Sequence, residues 1–195
     1  MSVLIVFEGP DGAGKTTLAK LLADDMQALY LESVPEEMKQ LRSVADGMHG
    51  YDRFLFYHLC NSIRSEQVKE SSIKGRSGII LDRYFYSTAA YHELALSTSL
   101  TEYVEHFSSS SDYAHPVLVV FVTARLAVRQ ARLENRSPNI WDNLSLDPQL
   151  EQIYRRLMKD IRCPVVEVDT SEDNETASFQ RLNWKVRKQL ALQDS

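Results

Sequence analysis

Residues 3–17, VLIVFEGPDGAGKTT, carry the strongest structural signal in the sequence. The first five of these residues are apolar and mostly β-branched or aromatic, which is typical of a strand buried in a sheet. The segment that follows, Gly9–Thr16, fits the pattern G-x-x-x-x-G-K-[ST] at every fixed position. Such glycines let backbone amides crowd around phosphate oxygens, and a helix that starts near Gly14 points its positive N-terminus at the same anion. The stretch therefore predicts a strand, a phosphate-binding loop and a helix in direct succession.

The side chains of this loop predict how it holds a nucleotide. Lys15 would reach the outer phosphates and the Thr16 hydroxyl a magnesium ion, so ATP and Mg²⁺ are the expected ligands. The residues expected to surround the phosphates are Gly12, Ala13, Gly14, Lys15, Thr16 and Thr17.

Charge and composition limit the class of partner. The chain of 195 residues carries a net charge of −5 at pH 7, which disfavours general adhesion to nucleic acid or to an anionic membrane. No composition shift marks a linker, so residues 1–195 are expected to form one domain that acts on a small molecule. Cys60 and Cys163 match no metal-ligand spacing and are expected to be reduced thiols. No basic segment precedes the first apolar run and no stretch is long enough to span a bilayer, so we expect a cytoplasmic protein.

Hydrophobic periodicity predicts four further strands, each separated from the next by helical segments. The strands are Ala28–Leu31, Ile79–Leu81, Val117–Val122 and Val165–Val168. The helices are a first one from about Gly14, a short one between Pro35 and Asp46, and then Tyr51–Lys74, Tyr86–Leu96, Leu100–Phe107, Ala124–Glu134, Asp147–Ile161 and Thr176–Leu192. Because strands and helices alternate, we expect an α/β fold with a parallel sheet and helices on both of its faces.

A charged sequence, Asp82-Arg83-Tyr84, directly follows one of these apolar strands. In open α/β sheets, ligands bind at the carboxyl ends of the strands. These residues are therefore candidates for the same site as the phosphate-binding loop.

The loop EGPDGAGKTT, the strand end at Asp82 and the segment that follows it together resemble the thymidylate kinase family of P-loop nucleoside monophosphate kinases. DRYFYSTAAYH, residues 82–92, is close to the family pattern DRY-x-x-S-x-x-AYQ, and the order of elements agrees over most of the chain. The resemblance implies a P-loop NTPase fold with five parallel strands, an acceptor pocket over the strand ends, and a lid that brings arginines onto the transferred phosphoryl group. It also implies an ATP- and magnesium-dependent kinase whose acceptor is similar to dTMP.

The resemblance further implies roles for single residues. Asp82 would orient the water shell of the metal ion that Thr16 holds, and Arg83 would bridge the donor and acceptor phosphates.

A second group of implied roles concerns the acceptor. Asp11 would contact the sugar 3′-hydroxyl, and Tyr91 would crowd out a 2′-hydroxyl. Phe56 would stack on the base, and Ser87 belongs to the same substrate-binding set.

The lid is predicted to be the loop Asn135–Asn143. Some family members carry an arginine right after the acidic residue of the phosphate-binding loop, whereas this chain has Gly12 there, so the catalytic arginine should come from the lid. Arg136 is the first candidate and Arg132 the second, because a residue inside the loop can swing over the phosphates; Arg129 is a third.

The chain departs from the family pattern at three places. The family's arginine-rich segment after the second strand is replaced by residues 31–35, LESVP, and Arg42 or Arg53 are the candidates to substitute for it. Cys60 stands where the family has an arginine that reads the base. His92 replaces a glutamine that touches the base, and we expect it to be an ordinary core histidine.

Two alternative functions stay open at this point. In a related deoxynucleoside kinase, a carboxylate after the second strand acts as general base toward a 5′-hydroxyl, and Glu32 occupies that position. A nucleotide-binding regulatory protein that transfers nothing is the other alternative, supported by the missing acceptor-side arginines. The oligomeric state is also open, with a homodimer among the candidates.

Overall fold

The predicted α/β fold is confirmed: a computed structural model of the protein, which describes residues 3–73, 78–172 and 174–192, contains a five-stranded, all-parallel sheet. The strands are β1 (Val3–Glu8), β2 (Leu29–Glu32), β3 (Gly78–Asp82), β4 (Leu118–Thr123) and β5 (Val165–Asp169). Their order is β2-β3-β1-β4-β5, so β1 lies in the centre of the sheet. Phe7 of β1 pairs with Asp82 of β3, which places the phosphate-binding loop beside the charged end of β3.

Helices cover both faces of the sheet, as expected for parallel strands that are buried on both sides. The helices are α1 (Lys15–Met26), α2 (Lys39–Asp46), α3 (Gly50–Ile73), α4 (Phe85–Leu96), α5 (Thr101–Ser109), α6 (Leu126–Glu134), α7 (Asp142–Ser145), α8 (Pro148–Leu157) and α9 (Glu175–Ala191). Side chains of α1 and α9 form the core on one face, and side chains of α3, α4, α5 and α8 form a larger, aromatic core on the other. None of the described helices is long and apolar enough to cross a membrane.

The predicted lid is shorter than its sequence suggested. Helix α7 begins at Asp142, so the loop between α6 and α7 ends at Trp141 rather than at Asn143. The side chain of Asp142 accepts a hydrogen bond from the backbone amide of Asn139 at 2.8 Å, which fixes the turn into α7.

The structure also differs from the prediction at the ends of two helices. The helix predicted over Asp147–Ile161 is regular only to Leu157 and continues as a 3₁₀ turn, Met158–Asp160. The long helix predicted over Tyr51–Lys74 begins at Gly50 and is described to Ile73, and Lys74 lies outside the described residues.

The inward face of α3 is partly polar. Asn61 and Arg64 are buried, whereas Leu59 is 48 % exposed. Arg64 donates to the backbone carbonyl oxygens of Glu32 and Val34 at 2.6 and 2.9 Å. It thereby provides hydrogen-bond donors for the backbone at the end of β2. Helix α3 is therefore held to the sheet by hydrogen bonds as well as by apolar contacts.

Candidate active site

Two glycines allow the phosphate-binding loop to lie against its neighbours. Gly9 has φ 134°, and a Cβ there would lie 2.1 Å from the carbonyl oxygen of Val122 in β4. Gly12 has φ 77°, and a Cβ there would lie 2.8 Å from the carbonyl oxygen of Arg129 in α6. Any side chain at these positions would collide with backbone, so both positions require glycine in this loop conformation.

Lys15, the first residue of α1, is buried within the loop. Its Nζ donates to the carbonyl oxygen of Pro10 at 2.7 Å and lies 3.8 Å from Oδ1 of Asp11. Burial lowers the pKa of Lys15 to about 7, and the positive charge of Arg83 adds to the effect. The ammonium is thus already placed in the loop, and an incoming phosphate would favour its charged form.

Thr16 and Asp82 form the candidate metal site. The hydroxyl of Thr16 donates to Oδ2 of Asp82 at 2.5 Å, and the hydroxyl of Tyr30 donates to the same oxygen at 3.3 Å. The other oxygen, Oδ1, is buried and has no hydrogen-bond partner in the described part of the chain. An unpartnered carboxylate oxygen beside a hydroxyl fits Mg²⁺, which usually takes one or two carboxylates together with substrate phosphates.

Asp11 gathers polar groups from three parts of the chain. Its Oδ1 accepts a hydrogen bond from the guanidinium of Arg83, and its Oδ2 accepts one from the hydroxyl of Ser145 at 3.0 Å. Its backbone amide donates to the hydroxyl of Tyr91 at 3.0 Å. Burial alone would raise the pKa of Asp11, but Arg83 and Lys15 outweigh burial and hold the pKa well below its usual range. Asp11 is therefore ionised.

Arg83 is positioned by its backbone as well as by its partners. Its φ is 73°, in the left-handed region that few non-glycine residues adopt, and its amide donates to the carbonyl oxygen of Phe7 at 2.9 Å. The guanidinium donates to the carbonyl oxygen of Gly9 at 3.1 Å and to the Ser87 hydroxyl at 2.9 Å. Such local strain is typical of functional residues, and here it directs Arg83 toward the loop and Asp11.

Glu8, the last residue of β1, is a fully buried carboxyl group under this cluster. It accepts hydrogen bonds from the backbone amide of Tyr84, at 2.9 Å, and from the Ser87 hydroxyl. Burial raises its pKa to about 7, although Ser87 and Arg83 act in the opposite direction. Glu8 thus holds the turn after β3 to the end of β1.

Next to this cluster lies a cavity, called the main cavity below. It is lined by Asp11, Ser33, Arg42, Tyr57, Arg83, Tyr84, Ser87, Thr88, Tyr91, His92, Arg136, Asn139 and Trp141. Of the residues predicted for the acceptor, the structure brings Asp11, Ser87 and Tyr91 to this cavity.

Phe56 is not among the residues that line the main cavity. Its ring packs edge-on against Tyr57, with 5.2 Å between ring centroids, and Tyr57 lines the cavity in its place. One turn after Tyr57, the amide of Asn61 donates to the hydroxyl of Thr88 at 2.9 Å, whereas Cys60 does not line the cavity. Tyr57 is thus the residue of α3 that lines the main cavity, directly after Phe56 in the sequence.

Trp141, at the end of the lid, forms part of the same wall. Its ring lies 5.5 Å from that of Tyr57 and 5.4 Å from that of His92, and the Arg53 guanidinium lies 4.4 Å from its centroid. Asp46 of α2 accepts hydrogen bonds from the Trp141 indole at 3.3 Å and from the Tyr57 hydroxyl at 2.6 Å. The wall therefore joins the lid, α2 and α3.

The three arginines considered for the lid occupy different places. Arg136 lines the main cavity, where its guanidinium lies 2.5 Å from Asp142 and 3.9 Å from Asp11. Arg129 is buried and donates to the carbonyl oxygens of Ala124 and Ser145, so it supports the start of α6 and the end of α7.

Arg132 lies on the other side of the phosphate-binding loop. It donates to the carbonyl oxygen of Gly12 at 3.0 Å and to that of Thr170 at 2.8 Å. A second cavity adjoins it, lined by Gly14, Thr17, Leu18, Arg132, Thr170, Glu175 and Ser178.

A family model described as "Thymidylate kinase" matches residues 7–180 of the chain. This chain belongs to the thymidylate kinase family. It is 31 % identical over 163 residues to a probable thymidylate kinase of Methanococcus maripaludis, a match that covers 81 % of this chain and 78 % of that one. It is therefore an ATP-dependent nucleoside monophosphate kinase by family.

Solved structures agree in fold. A thymidylate kinase from Ehrlichia chaffeensis superimposes with a TM-score of 0.71 at 17 % identity, covering 95 % of this chain and 98 % of that one. A deoxyadenosine kinase from M. mycoides superimposes with a TM-score of 0.70, also at 17 % identity, covering 95 % of this chain and all of that one. At this identity the two structures support the P-loop kinase fold and do not separate the two acceptor classes.

Proposed function

We propose that this kinase transfers the γ-phosphoryl group of ATP to the phosphate of a 2′-deoxynucleoside monophosphate, with dTMP as the first candidate. The observation that carries the proposal is the position of Asp11. Its carboxylate touches Arg83 at the phosphate-binding loop and at the same time lines the main cavity. A group bound in that cavity would lie beside both the transferred phosphoryl group and a hydrogen-bond acceptor suited to a sugar hydroxyl.

The charges of the main cavity suit an acceptor that is already phosphorylated. Arg42 from α2, Arg83 from the turn after β3 and Arg136 from the lid all line it. Guanidinium groups bind phosphate oxygens in a bidentate manner, and phosphoryl transfer requires mainly positioning and positive charge. Arg42 could thus supply the cation that the segment after β2 lacks.

Glu32 gives little support to a nucleoside acceptor. A 5′-hydroxyl must lose its proton, so a general base has to lie within hydrogen-bond reach of it. The Glu32 carboxylate is instead 48 % exposed, lies 3.4 Å from the Lys39 ammonium and is not among the residues that line the main cavity. A regulatory protein without activity is also less well supported, because the family is one of ATP-dependent kinases.

On the donor side, the chain supplies contacts along the whole triphosphate. Lys15 would bind the outer phosphates, Arg83 would bridge donor and acceptor, and Thr16 and Asp82 would hold Mg²⁺. The magnesium ion, when bound, would offset negative charge on the donor phosphates. The base of the donor would lie in the second cavity beside Arg132.

Tyr91 supports a 2′-deoxy sugar. Its hydroxyl is fixed between the Asp11 amide, at 3.0 Å, and the Ser145 hydroxyl, at 2.7 Å, so the ring has little freedom to move away from a ligand. A ribose 2′-hydroxyl would meet this ring while Asp11 accepts from the 3′-hydroxyl. We also keep two expectations from the sequence, one kinase domain over residues 1–195 and a cytoplasmic location.

The test is ADP release from ATP and Mg²⁺ with three acceptors: dTMP, its ribose counterpart and unphosphorylated thymidine. We expect kcat/KM to be highest for dTMP and turnover of thymidine to be negligible. Lys15→Ala should lower kcat/KM for dTMP by about a hundredfold or more, since it removes a buried cation from the phosphates. Lys188→Ala, on the exposed face of α9, is the matched control and should have no effect.

The alternative function, a deoxynucleoside kinase, makes a different prediction for Glu32→Gln. If the acceptor is a hydroxyl, this substitution removes the base and turnover of thymidine falls with it. Preferred turnover of thymidine that depends on Glu32 would replace our proposal with the nucleoside kinase. Preferred turnover of the ribose substrate would refute the role of Tyr91.

A further inference from the structure

Asp46, the last residue of α2, is not among the residues that line the main cavity, yet it contacts two of the rings that do. Its Oδ1 accepts a hydrogen bond from the Tyr57 hydroxyl at 2.6 Å and another from the Trp141 indole N–H at 3.3 Å. The two donors belong to α3 and to the lid, 11 and 95 positions away in the sequence. One carboxylate oxygen therefore joins α2, α3 and the lid.

The place of Asp46 in α2 is unfavourable for the helix itself. A negative charge in the last turn of a helix faces the negative end of the helix dipole. The other carboxylate oxygen, Oδ2, lies 3.5 Å from Nε of Arg42, but the Arg42 side chain is 45 % exposed, and ion pairs at the surface contribute little. Neither the helix nor this ion pair accounts for a carboxylate at position 46, whereas its hydrogen bonds to the two rings do.

The two rings need an acceptor at this place. Trp141 is buried and Tyr57 is half-buried, and a buried donor without an acceptor destabilises a protein. An indole N–H can only donate. Burial and the hydrogen bond to Asp46 raise the pKa of Tyr57 well above its usual range, so its hydroxyl keeps its proton and also donates. Both rings are therefore oriented by the same oxygen of Asp46.

The contact with Trp141 holds one end of a short stretch of chain, residues 141–145. The Trp141 carbonyl oxygen accepts a hydrogen bond from the Ser145 amide at 2.7 Å, and the Ser145 hydroxyl donates to Asp11 at 3.0 Å. The stretch is thus held to the phosphate-binding loop at one end and to α2 at the other. Loss of the contact with Asp46 would release the end that forms the wall of the main cavity.

We propose that Asp46 is a positioning residue for the acceptor: it holds the rings of Tyr57 and Trp141 in the wall of the main cavity and so keeps the lid joined to α2 and α3 around the bound nucleotide. The inference rests on the proposed function, since it requires a nucleotide acceptor in this cavity. Affinity for the acceptor then depends on a hydrogen-bond acceptor at position 46 and not on its charge. Affinity for ATP does not depend on it.

The experiment compares Asp46→Ala with Asp46→Asn. Asp46→Ala leaves both donors without their acceptor, so KM for dTMP should rise about tenfold or more, whereas kcat and KM for ATP should change by less than about threefold. Asp46→Asn keeps an oxygen that can accept from both rings and should recover most of the affinity for dTMP. Asp112→Ala, at an exposed aspartate in the turn before β4, is the control.

A double-mutant cycle shows whether Asp46 acts through the rings. Tyr57→Phe removes one of the two donors, so Asp46→Ala should raise KM for dTMP less in that background than in the wild type. Thermal unfolding shows whether each variant is folded. If Asp46→Ala is not, the double variant Tyr57→Phe, Trp141→Phe keeps both rings without their donors and should raise KM for dTMP in its place.

Three results would overturn the inference. In the first, Asp46→Ala, or the double variant that replaces it, leaves KM for dTMP unchanged. In the second, Asp46→Asn loses as much affinity as Asp46→Ala, so that the charge matters and the hydrogen bonds do not. In the third, KM for ATP rises as much as KM for dTMP, which would mean that the substitution loosens the whole fold.

Binding distinguishes this inference from the proposed function. If dTMP binds to the wild type but is not phosphorylated, the proposed function fails, and the Kd values of dTMP and ATP test Asp46 by the same criteria. If dTMP does not bind, the main cavity does not accept this nucleotide and both proposals fall.

Discussion

Glu8 and Asp11 are only three residues apart in the sequence, yet their surroundings shift the pKa values of their carboxyl groups in opposite directions. Glu8 is enclosed beneath the turn after β3, where burial favours the neutral carboxylic acid. Asp11 touches Arg83 and lies near Lys15, whose charges favour the carboxylate. The end of β1 therefore holds a carboxyl group that can be neutral near pH 7, and the phosphate-binding loop that follows holds one that stays charged.

The raised pKa of Glu8 predicts a pH dependence of stability. In the unfolded chain its pKa is about 4.5, whereas in the folded protein it is about 7, so the folded state binds more protons between these values. The contribution of Glu8 to the free energy of unfolding should therefore fall as pH rises from about 4.5 to 7. Glu8→Gln, which stays neutral, should unfold with nearly the wild-type free energy at pH 5 and be more stable by roughly 3 kcal/mol at pH 8.

Urea unfolding at the two pH values gives the measurement. Glu102→Gln, on the exposed surface of α5, is the control and should follow the wild type at both. A Glu8→Gln protein that is equally destabilised at pH 5 and pH 8 would show that the hydrogen bonds to Tyr84 and Ser87 matter more than the charge.

At the scale of single elements, the arginine of the predicted lid and the arginine of α6 that precedes it lie on different sides of the phosphate-binding loop. Arg136 lines the main cavity, whereas Arg132 contacts the outer side of the phosphate-binding loop. We therefore predict that Arg136→Ala lowers kcat by about a hundredfold or more and changes ATP affinity much less, because its contact strengthens in the transition state. Arg132→Ala should mainly weaken ATP binding.

Steady-state kinetics at saturating acceptor, with ATP affinity measured by calorimetry, separates the two effects. Arg125→Ala is a suitable control because Arg125 is exposed and pairs with Glu172 outside both cavities. If Arg136→Ala keeps the wild-type kcat, the charge at the transferred phosphoryl group comes from Arg83 or from another arginine.

Helix α3 shows what a sequence pattern can and cannot predict about an element. The predicted start of α3, Tyr51, lies one residue from the observed start, Gly50, because one amphipathic pattern runs through the helix. The structure places Tyr57, rather than its neighbour Phe56, at the main cavity, and the two are hard to tell apart in the sequence because both are aromatic and differ by only about 100° around the helix. The stacking role of Phe56 stays a prediction. Glu8 was missed for another reason: its partner, the Tyr84 amide, is 76 positions away in the sequence.

At the scale of the whole molecule, the five strands and their parallel arrangement followed from short apolar runs that alternate with helices. The phosphate-binding loop followed from residue types that the chemistry requires at fixed spacing. The walls of the main cavity followed only in part. Asp11, Ser87 and Tyr91 were expected there from the family resemblance, whereas Tyr57 of α3 and Trp141 of the lid reach it through tertiary packing that no local pattern predicts.

One surface of the molecule bears on its oligomeric state. Tyr51, Leu55 and Leu59 repeat every four residues along α3 and are all exposed, and Leu41 and Val44 of α2 are exposed as well. Exposed apolar rows of this kind are typical of interfaces. We propose that two copies of the chain associate through α2 and α3.

The association can be tested by light scattering after size-exclusion chromatography. We expect a dimer for the wild type and a monomer for Leu55→Lys, which places a charge in the middle of the row. Leu192→Lys, an exposed leucine after the end of α9, should remain a dimer. A wild type that is monomeric at micromolar concentration would contradict the proposal.

The position of Trp141 has an optical consequence. The chain has two tryptophans, of which Trp141 is 6 % exposed in the wall of the main cavity and Trp184 is 62 % exposed on α9. In Trp184→Phe, all indole fluorescence would come from a ring that touches the lid, α3 and the cavity at once. The emission of that single indole would then report nucleotide entry in real time, without any turnover of ATP.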